Sequence, residues 1–127
     1  MRNREEVARA VVQSFYAVYD TLGYGFLEKV YESALAMEVA QRGFQVERQA
    51  PIEVFYKGEV IGTYFTDLLI ERCLIVEIKA VENLALEHEA QLLNYLKATE
   101  INLGLLVNFG PKPQVKRKIF ETARKSI

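Results

Sequence analysis

Three ionisable side chains interrupt two apolar stretches, and their types fit metal-assisted chemistry. Asp67 lies in the apolar run 61–70, and Glu77 and Lys79 lie in the run 73–80. Both runs are rich in strand-forming residues and a short polar turn separates them, which predicts a β-hairpin. Strands of this kind normally carry apolar side chains, so two carboxyl groups and an amine at these positions need a specific reason.

The register of the hairpin decides whether these groups meet. If Arg72 is at the centre of the connection, Asp67 lies directly opposite Glu77 and on the same face, because side chains alternate along a strand. Lys79 shares that face and Ile78 lies on the other, whereas a register shifted by one residue would separate the acids. Clustered charges on a half-buried face cost free energy unless they are compensated, and a divalent cation such as Mg²⁺ compensates carboxylates and also supplies chemistry.

Asp67 also has a purely structural explanation. The stretch 44–56 alternates like a strand, with Arg48 as the one charged residue on its apolar face. A tight turn that pairs Tyr56 with Glu59 would bring Arg48 opposite Asp67. The two would then form a buried ion pair that needs no metal.

Hydrophobic periodicity predicts a mixed order of helices and strands. The last strand is an uninterrupted apolar run that follows a helix, as in a crossover connection between parallel strands. The predicted fold class is therefore α/β, a mixed β-sheet flanked by helices, in one domain over residues 1–127. The predicted segments are helices 4–22 and 26–42, strand 44–56, hairpin 59–80, helix 86–99, strand 103–109 and a basic helix over 115–125.

Residues spaced by three and four predict the buried face of each helix. The stripe of the first helix is Val7, Ala10, Val11, Ser14, Phe15 and Val18. In the second helix the apolar stripe is Leu27, Val30, Ala34 and Met37, and the stripe beside it is Glu28, Tyr31, Glu32 and Leu35. In the third helix the apolar stripe is Leu86, Ala90, Leu93 and Leu96, and a second row, either a solvated face or part of a site, is His88, Gln91 and Tyr95.

Composition limits the classes of function. Sixteen basic and seventeen acidic residues give a net charge of −1, so nucleic-acid binding would need a local patch rather than an overall positive field. The N-terminal stretch has no apolar signal core and no apolar run approaches membrane-spanning length, so a cytoplasmic protein without a membrane part is expected. The single Cys73 cannot form an internal disulfide and suits a reducing compartment.

The succession of motifs closely resembles the GxxExxY protein family over roughly residues 7–120. That family is grouped with the PD-(D/E)XK nuclease superfamily, nearest to the branch with a Gln-x-x-x-Tyr motif after the catalytic strand, as in RecB-type exonuclease domains. The resemblance implies a restriction-endonuclease-like core of helix, three-strand antiparallel meander, helix and strand. In chain order the matching residues are Gly25-x-x-Glu28-x-x-Tyr31, Asp67, Glu77-x-Lys79, His88-x-x-Gln91-Leu92-Leu93-x-Tyr95-Leu96 and the strand GLLVNF at 104–109.

The resemblance implies a role for each charged residue of the motifs. Asp67 and Glu77 would be metal-binding carboxylates, and Glu28 would be a further acidic ligand or would hold a water molecule. Lys79 would orient or help to activate the attacking water and stabilise charge on the phosphate. For Glu28 a simpler explanation is that an acid is favourable in the first turn of a helix.

The resemblance also assigns roles on the third helix. Gln91 and Tyr95 would support the site or contact a substrate phosphate. His88 stands three residues before Gln91, where related nucleases can carry a further ligand. With one His and one Cys in the chain, a tetrahedral zinc site of such ligands cannot be assembled.

The function implied by the resemblance is a nuclease dependent on Mg²⁺, with Mn²⁺ as the alternative ion. It would hydrolyse phosphodiester bonds in DNA, with RNA as the alternative substrate. The sequence shows no helix-turn-helix or zinc finger, so weak sequence preference or targeting by a protein partner is expected. A homodimer is compatible with so small a nuclease domain.

Two non-catalytic functions stay open beside the nuclease. A scaffold on a nuclease fold would bind nucleic acid through the basic C-terminal piece, or a protein through an apolar helix face. A purely structural subunit would pair Asp67 with Arg48 and Glu77 with Lys79 and would bind no metal.

Overall fold

The computed structural model describes residues 2–121, and this part of the chain forms three helices and one five-stranded sheet. The strand order is β1-β2-β3-β4-β5, with β3 and β4 parallel and the other neighbours antiparallel. The predicted order of helix, antiparallel meander, helix and strand is confirmed. The elements are α1 Arg4–Leu22, α2 Glu28–Gln41, β1 Val46–Tyr56, β2 Glu59–Ile70, β3 Leu74–Lys79, α3 Leu86–Lys97, β4 Leu103–Phe109 and β5 Pro113–Ile119.

The basic helix predicted over 115–125 is wrong for the residues that the structure describes. Pro113–Ile119 is the edge strand β5, and residues 122–125 of the prediction, with Arg124 and Lys125, lie outside the described residues. The physical reason is the buried strand β4, whose outer backbone groups need hydrogen-bond partners. A tight Gly-Pro-Lys-Pro turn returns the chain along that edge, and the charges on β5 suit an exposed edge strand.

The sheet separates two hydrophobic cores. The α1/α2 core lies on one face and the α3 core on the other, and successive side chains of β3 alternate between them. The sheet contributes Leu68, Ile70, Leu74, Val76, Ile78, Leu103, Leu105, Val107 and Phe109 to the α1/α2 core. The buried residues of the α3 core are Ala50, Ile52, Leu69, Ile75, Leu92, Tyr95, Leu96 and Leu106.

Helix α1 buries nearly the predicted stripe, with Ala8 in place of Ala10. Its start and end also follow prediction. The Asn3 side chain accepts a hydrogen bond from the Glu6 backbone N–H, and the chain leaves the helix at Gly23, which has a φ of 66°. No described helix has the length and hydrophobicity that crossing a bilayer requires.

The buried faces predicted for α2 and α3 are wrong. In α2 the buried residues are Tyr31, Glu32 and Leu35 of the neighbouring stripe, together with Ala36 and Val39, while Leu27 is 79% exposed. The reason is Tyr31, whose ring stacks on Phe109 at 4.3 Å between centroids and whose hydroxyl donates to the Gly23 carbonyl at 2.7 Å. In α3, Leu96 is buried as predicted, but Leu86 is 83% exposed, and the other buried residues are Leu92 and Tyr95. The alternative in which His88, Gln91 and Tyr95 form a solvated face is therefore wrong at Tyr95.

The β1–β2 hairpin follows the predicted turn but not the whole predicted register. Tyr56 pairs with Glu59 across a Lys57–Gly58 turn with positive φ angles of 51° and 83°. The ladder then shifts by one residue between Val54 and Phe55. Arg48 consequently pairs with Leu68, so the predicted pairing of Arg48 with Asp67 is wrong.

The carboxyl ends of β3 and β4 are tied together by one amide side chain. The Asn108 Nδ2 group donates to the Val81 carbonyl, and the Val81 backbone N–H donates to Asn108 Oδ1, both at 2.9 Å. These bonds extend the β3–β4 ladder past its last pair, Lys79 with Asn108. The backbone that follows Lys79 is therefore held at the end of the sheet as far as Val81.

We predict that Gly110→Ala lowers the free energy of unfolding by about 2 kcal/mol. A Cβ atom on Gly110 would overlap the Val81 carbonyl oxygen and lie 3.0 Å from Asn108 Nδ2. The backbone around the Val81–Asn108 hydrogen bonds would therefore have to shift. Gly62→Ala is the control, since its Cβ would make an ordinary contact of 3.8 Å with Tyr64. Urea denaturation measures both variants, and equal effects would contradict the prediction.

Candidate active site

The register of the β2–β3 hairpin is the one that brings Asp67 opposite Glu77. Leu68 pairs with Val76, and the ladder is centred on Arg72 as predicted. It ends at this pair, and side-chain bonds to the backbone replace the next rung. The Asp67 backbone N–H donates to Glu77 Oε2 at 3.1 Å, and the Ile78 backbone N–H donates to Asp67 Oδ2 at 2.7 Å. Each carboxyl group is thus held by the other strand.

Burial and proximity govern the charge of this pair. Glu77 is 7% exposed, and its pKa is raised to about 9, first by burial and then by the charge and side-chain hydrogen bond of Asp67. Lys79 acts in the opposite direction and lowers the pKa of Glu77. Near neutral pH without a metal, the Glu77 carboxyl group therefore keeps a proton between itself and Asp67. A cation that binds here would displace that proton.

The donor set fits an oxygen-seeking divalent ion. Mg²⁺ takes oxygen ligands and keeps several waters, so few protein ligands suffice, and Asp67 and Glu77 present two carboxyl groups at one point. Among residues 2–121, no group of three or more His, Cys, Asp or Glu side chains is close enough to hold a metal ion. The structure therefore does not place Glu28 with this pair. Glu28 is exposed at the first residue of α2, and its role as a ligand stays a prediction.

Lys79 is the last residue of β3 and is half-buried. It lies two residues after Glu77 and so on the same face, while Ile78 packs into the α1/α2 core on the other face, as predicted. In the described part of the chain no ion pair within 4 Å joins Lys79 to Glu77. The direct Glu77–Lys79 ion pair of the structural alternative is therefore wrong, although the charge of Lys79 lowers the pKa of Glu77.

Two of the three α3 candidates belong to the neighbourhood of the acids. Tyr95 is buried, and its pKa is raised to about 12, first by burial and then by the charges of Glu77 and Asp67. Its hydroxyl group therefore stays protonated, and it accepts a hydrogen bond of 3.0 Å from the Gln91 amide. His88 has a local function instead, since its Nδ1 accepts the Ala85 backbone N–H at 3.1 Å at the start of the helix.

A hydrogen-bond network connects α2 to Asp67. Its three other residues were not predicted as site residues. The buried carboxylate of Glu32 accepts hydrogen bonds from Arg48 at 3.0 and 3.2 Å and from the Gln49 amide at 2.7 Å. The same Gln49 amide donates to Asp67 Oδ1 at 3.3 Å. Arg48, the predicted partner of Asp67, is thus the partner of Glu32. In the sequence, the feature that could have indicated this network is the acid Glu32 within a stripe of α2 that includes Tyr31 and Leu35.

The position of Gln49 depends on an irregularity in β1. Its φ is 49°, and it lies between the pairs that Arg48 and Ala50 form with β2. Before this point Val46 packs against the α1/α2 core, and after it Ala50 belongs to the α3 core. The regular alternation predicted for residues 44–56 is therefore wrong at Gln49, and the change of face directs its amide toward Asp67 and Glu32.

The chain is similar to known proteins in sequence and in fold. A sequence model of the PD-(D/E)XK nuclease superfamily matches residues 5–119. The crystal structure of SSO0001 aligns with a TM-score of 0.60 over 97% of this chain at 20% sequence identity, which is a likeness of fold. This chain covers 60% of the length of that protein. A comparison with curated proteins found no match. The closer resemblance to the GxxExxY family and the RecB-type branch stays a prediction.

We predict that the stability of the metal-free protein falls as the pH rises from about 4.5 to about 9. Over this interval the folded protein keeps a proton on Glu77 that the unfolded chain releases, so alkali favours unfolding. Glu77→Gln removes that proton equilibrium. The variant should exceed wild type at pH 8 by an amount on the order of 2 kcal/mol in free energy of unfolding, but not at pH 4.

Thermal denaturation in EDTA at several pH values measures this difference. Glu59→Gln is the matched control, because Glu59 is an exposed acid at the start of β2, the strand that pairs with β3, and should leave the pH dependence unchanged. Parallel pH curves for wild type and Glu77→Gln would show that Glu77 is ionised in the folded protein.

We predict that Arg48→Ala lowers the free energy of unfolding by about 2 kcal/mol, between the values for exposed and fully buried ion pairs. The variant leaves the buried carboxylate of Glu32 without its closest cation. Arg72→Ala is the control, since Arg72 pairs with Glu47 on an exposed surface and should contribute about 0.5 kcal/mol. If urea denaturation gives equal losses, the buried network does not contribute as the structure indicates.

Proposed function

Because the chain belongs to the PD-(D/E)XK nuclease superfamily, we propose that it is a metal-dependent nuclease whose active site is formed by Asp67, Glu77 and Lys79. The observation that carries this proposal is the pair of carboxyl groups at the end of the β2–β3 ladder, buried Glu77 and half-buried Asp67, which is electrostatically unfavourable without a cation. We propose Mg²⁺ as the ion, with Mn²⁺ as the alternative. We propose DNA as the substrate, with RNA as the alternative.

Asp67 and Glu77 would hold the ion. When bound, it would polarise the phosphate and lower the pKa of a coordinated water molecule. The backbone N–H groups of Asp67 and Ile78 already hold one oxygen of each carboxyl group. The Gln49 amide donates to the other oxygen of Asp67 at 3.3 Å. Carboxyl groups held in this way would need little reorganisation when an ion binds.

Lys79 and Tyr95 would complete the reacting surface. The cleaved phosphodiester gains negative charge in the transition state, and the Lys79 ammonium group at the end of β3 would stabilise that charge. The Tyr95 hydroxyl keeps its proton beside the acids and would donate a hydrogen bond to a phosphate oxygen or a water. Gln91 fixes the orientation of that hydroxyl through their 3.0 Å hydrogen bond.

Glu28 has a weaker claim than the hairpin residues. We propose, from the family resemblance, that it holds a water molecule or adds a ligand when substrate and metal are both present. Its exposed position at the start of α2 leaves this side chain accessible to such groups. Glu28→Gln should therefore lower activity less than any change of the hairpin residues.

The charges on β5 disfavour the scaffold that would bind nucleic acid through a basic C-terminal piece. Arg117 pairs with Glu5 at 2.5 Å, and Lys118 pairs with Glu89 at 2.8 Å. Two of the basic side chains of this strand are therefore partly neutralised within the protein. A location in the cytoplasm, a targeting partner and a homodimer remain proposals that rest on the sequence.

We predict that Glu77→Gln and Lys79→Ala each reduce Mg²⁺-dependent cleavage by a factor on the order of 1,000, because each removes a group that stabilises the transition state. Gel assays on single-stranded and duplex DNA and on RNA, with and without EDTA, measure this. Glu59→Gln is again the control and should cleave at the wild-type rate. Cleavage that persists in both site variants would place the activity elsewhere.

Calorimetric titration of the protein with Mn²⁺ measures metal binding separately from cleavage. Asp67→Asn removes one negative ligand but keeps the size of the side chain, so it should weaken binding by at least tenfold. Equal binding by wild type and Asp67→Asn would place the ion outside the hairpin.

A further inference from the structure

A groove of about 880 Å³ opens beside the candidate active site, between α3 and the outer half of the β1–β2 hairpin. Pairing between β2 and β3 begins at Leu68, so the earlier residues of β2 pair with β1 and extend past β3. This two-stranded arm stands beside α3 and supplies one wall, which includes Phe55 and Tyr64. Helix α3 supplies the other wall, which includes Gln91 and Asn94.

The groove is continuous with the candidate active site through α3. Gln91 and Tyr95 line the groove and also form the hydrogen bond described beside the acids. The ring of Tyr64 lies 5.8 Å from the ring of Tyr95. A chain bound at the carboxyl pair would therefore have its neighbouring residues beside these aromatic rings.

The chemistry of the groove differs from that of a phosphate-binding surface. Phe55 and Tyr64 are 59% and 51% exposed, and large exposed aromatic rings offer faces for stacking. The amides of Gln91 and Asn94 each carry donors and an acceptor, which suit the edge of a nucleobase. The charged residues on the wall are Glu87 and Lys97, of opposite sign, so the groove lacks the excess of cations that a run of phosphates would need.

We propose that this groove binds unpaired nucleobases of a single-stranded segment next to the scissile phosphate. The proposal rests on the proposed nuclease function and names its substrate class. A duplex keeps its bases stacked and paired, so it cannot present their faces to Phe55 and Tyr64. Duplex recognition depends mainly on phosphate neutralisation, which a chain of net charge −1 with paired basic residues on β5 is poorly equipped to supply.

The test is fluorescence anisotropy with a labelled oligothymidylate and with a blunt duplex of the same length, both in EDTA so that no cleavage occurs. Wild type should bind the single strand at least tenfold more tightly than the duplex. Tyr64→Ala and Phe55→Ala should each weaken single-strand binding by about tenfold, the loss expected for one stacked base. Phe55→Ala serves as the second groove variant because Phe55 makes no ring contact with Tyr95 among the described residues.

Phe65→Ala is the matched control. Phe65 follows Tyr64 on the same strand and is 54% exposed, but it is not part of the groove wall, as expected from the alternation of side chains. This variant should keep wild-type affinity. Circular dichroism confirms that all three variants fold.

Three outcomes would overturn the proposal. The first is that wild type binds the duplex as tightly as the single strand or more tightly. The second is that Phe65→Ala loses as much single-strand affinity as Tyr64→Ala. The third is that wild type does not bind the single strand. A change of sedimentation coefficient in Tyr64→Ala, without a change in single-strand affinity, would also overturn it by showing that a second copy occupies the groove. Because binding is measured without metal, each of these results is independent of the Mg²⁺ cleavage assay, which tests the proposed nuclease function.

Discussion

The burial of the Glu77 carboxyl group beside the half-buried Asp67 carboxyl group, at the end of one β-ladder, is the constraint on which the rest of the site depends. Asp67 and Glu77 would repel each other and lose hydration if the hairpin simply continued, so the ladder stops and backbone N–H groups of opposite strands bind the carboxyl oxygens. The pair stays tolerable without metal because Glu77 holds a proton. In the proposed function the same arrangement would favour a cation, since the ion would replace a proton that the fold already accommodates.

The sheet makes this arrangement possible by giving each side of the site a different support. On the α3 side Tyr95 closes the site with a buried ring and a protonated hydroxyl. On the α2 side Glu32 brings a second buried negative charge, which Arg48 balances and Gln49 connects to Asp67. A buried charge of this kind is unfavourable without its partners. We infer that it persists because it fixes the amide of Gln49, and through it one oxygen of Asp67.

The sequence predicts the order of elements as far as β4 and the central pairing because these depend on strong, local signals, whereas β5 was predicted to be helical. Two apolar runs around a short turn allow few registers, and burying the apolar residues excludes the others, so Asp67 and Glu77 were expected to meet. The register of β1 was not predictable in the same way, since a bulge near Val54 moves Arg48 by one residue without a distinctive residue type. The stripe of α2 failed for a further reason: tertiary stacking of Tyr31 on Phe109 outweighed the hydrophobicity of side chains such as Leu27.

The near-neutral charge of the chain has a consistent physical explanation if the site and the groove act together. A nuclease that gained its affinity from phosphates would need a dense set of free cations, and long-range attraction would then bring duplex and single strand alike. Stacking on Phe55 and Tyr64 acts at contact distance and requires an unpaired base. Binding energy obtained there would place the next phosphate beside Lys79 and the two acids, without a general attraction to nucleic acid. Discrimination between strand types would then arise from what the groove can contact, and the hairpin acids would supply the chemistry.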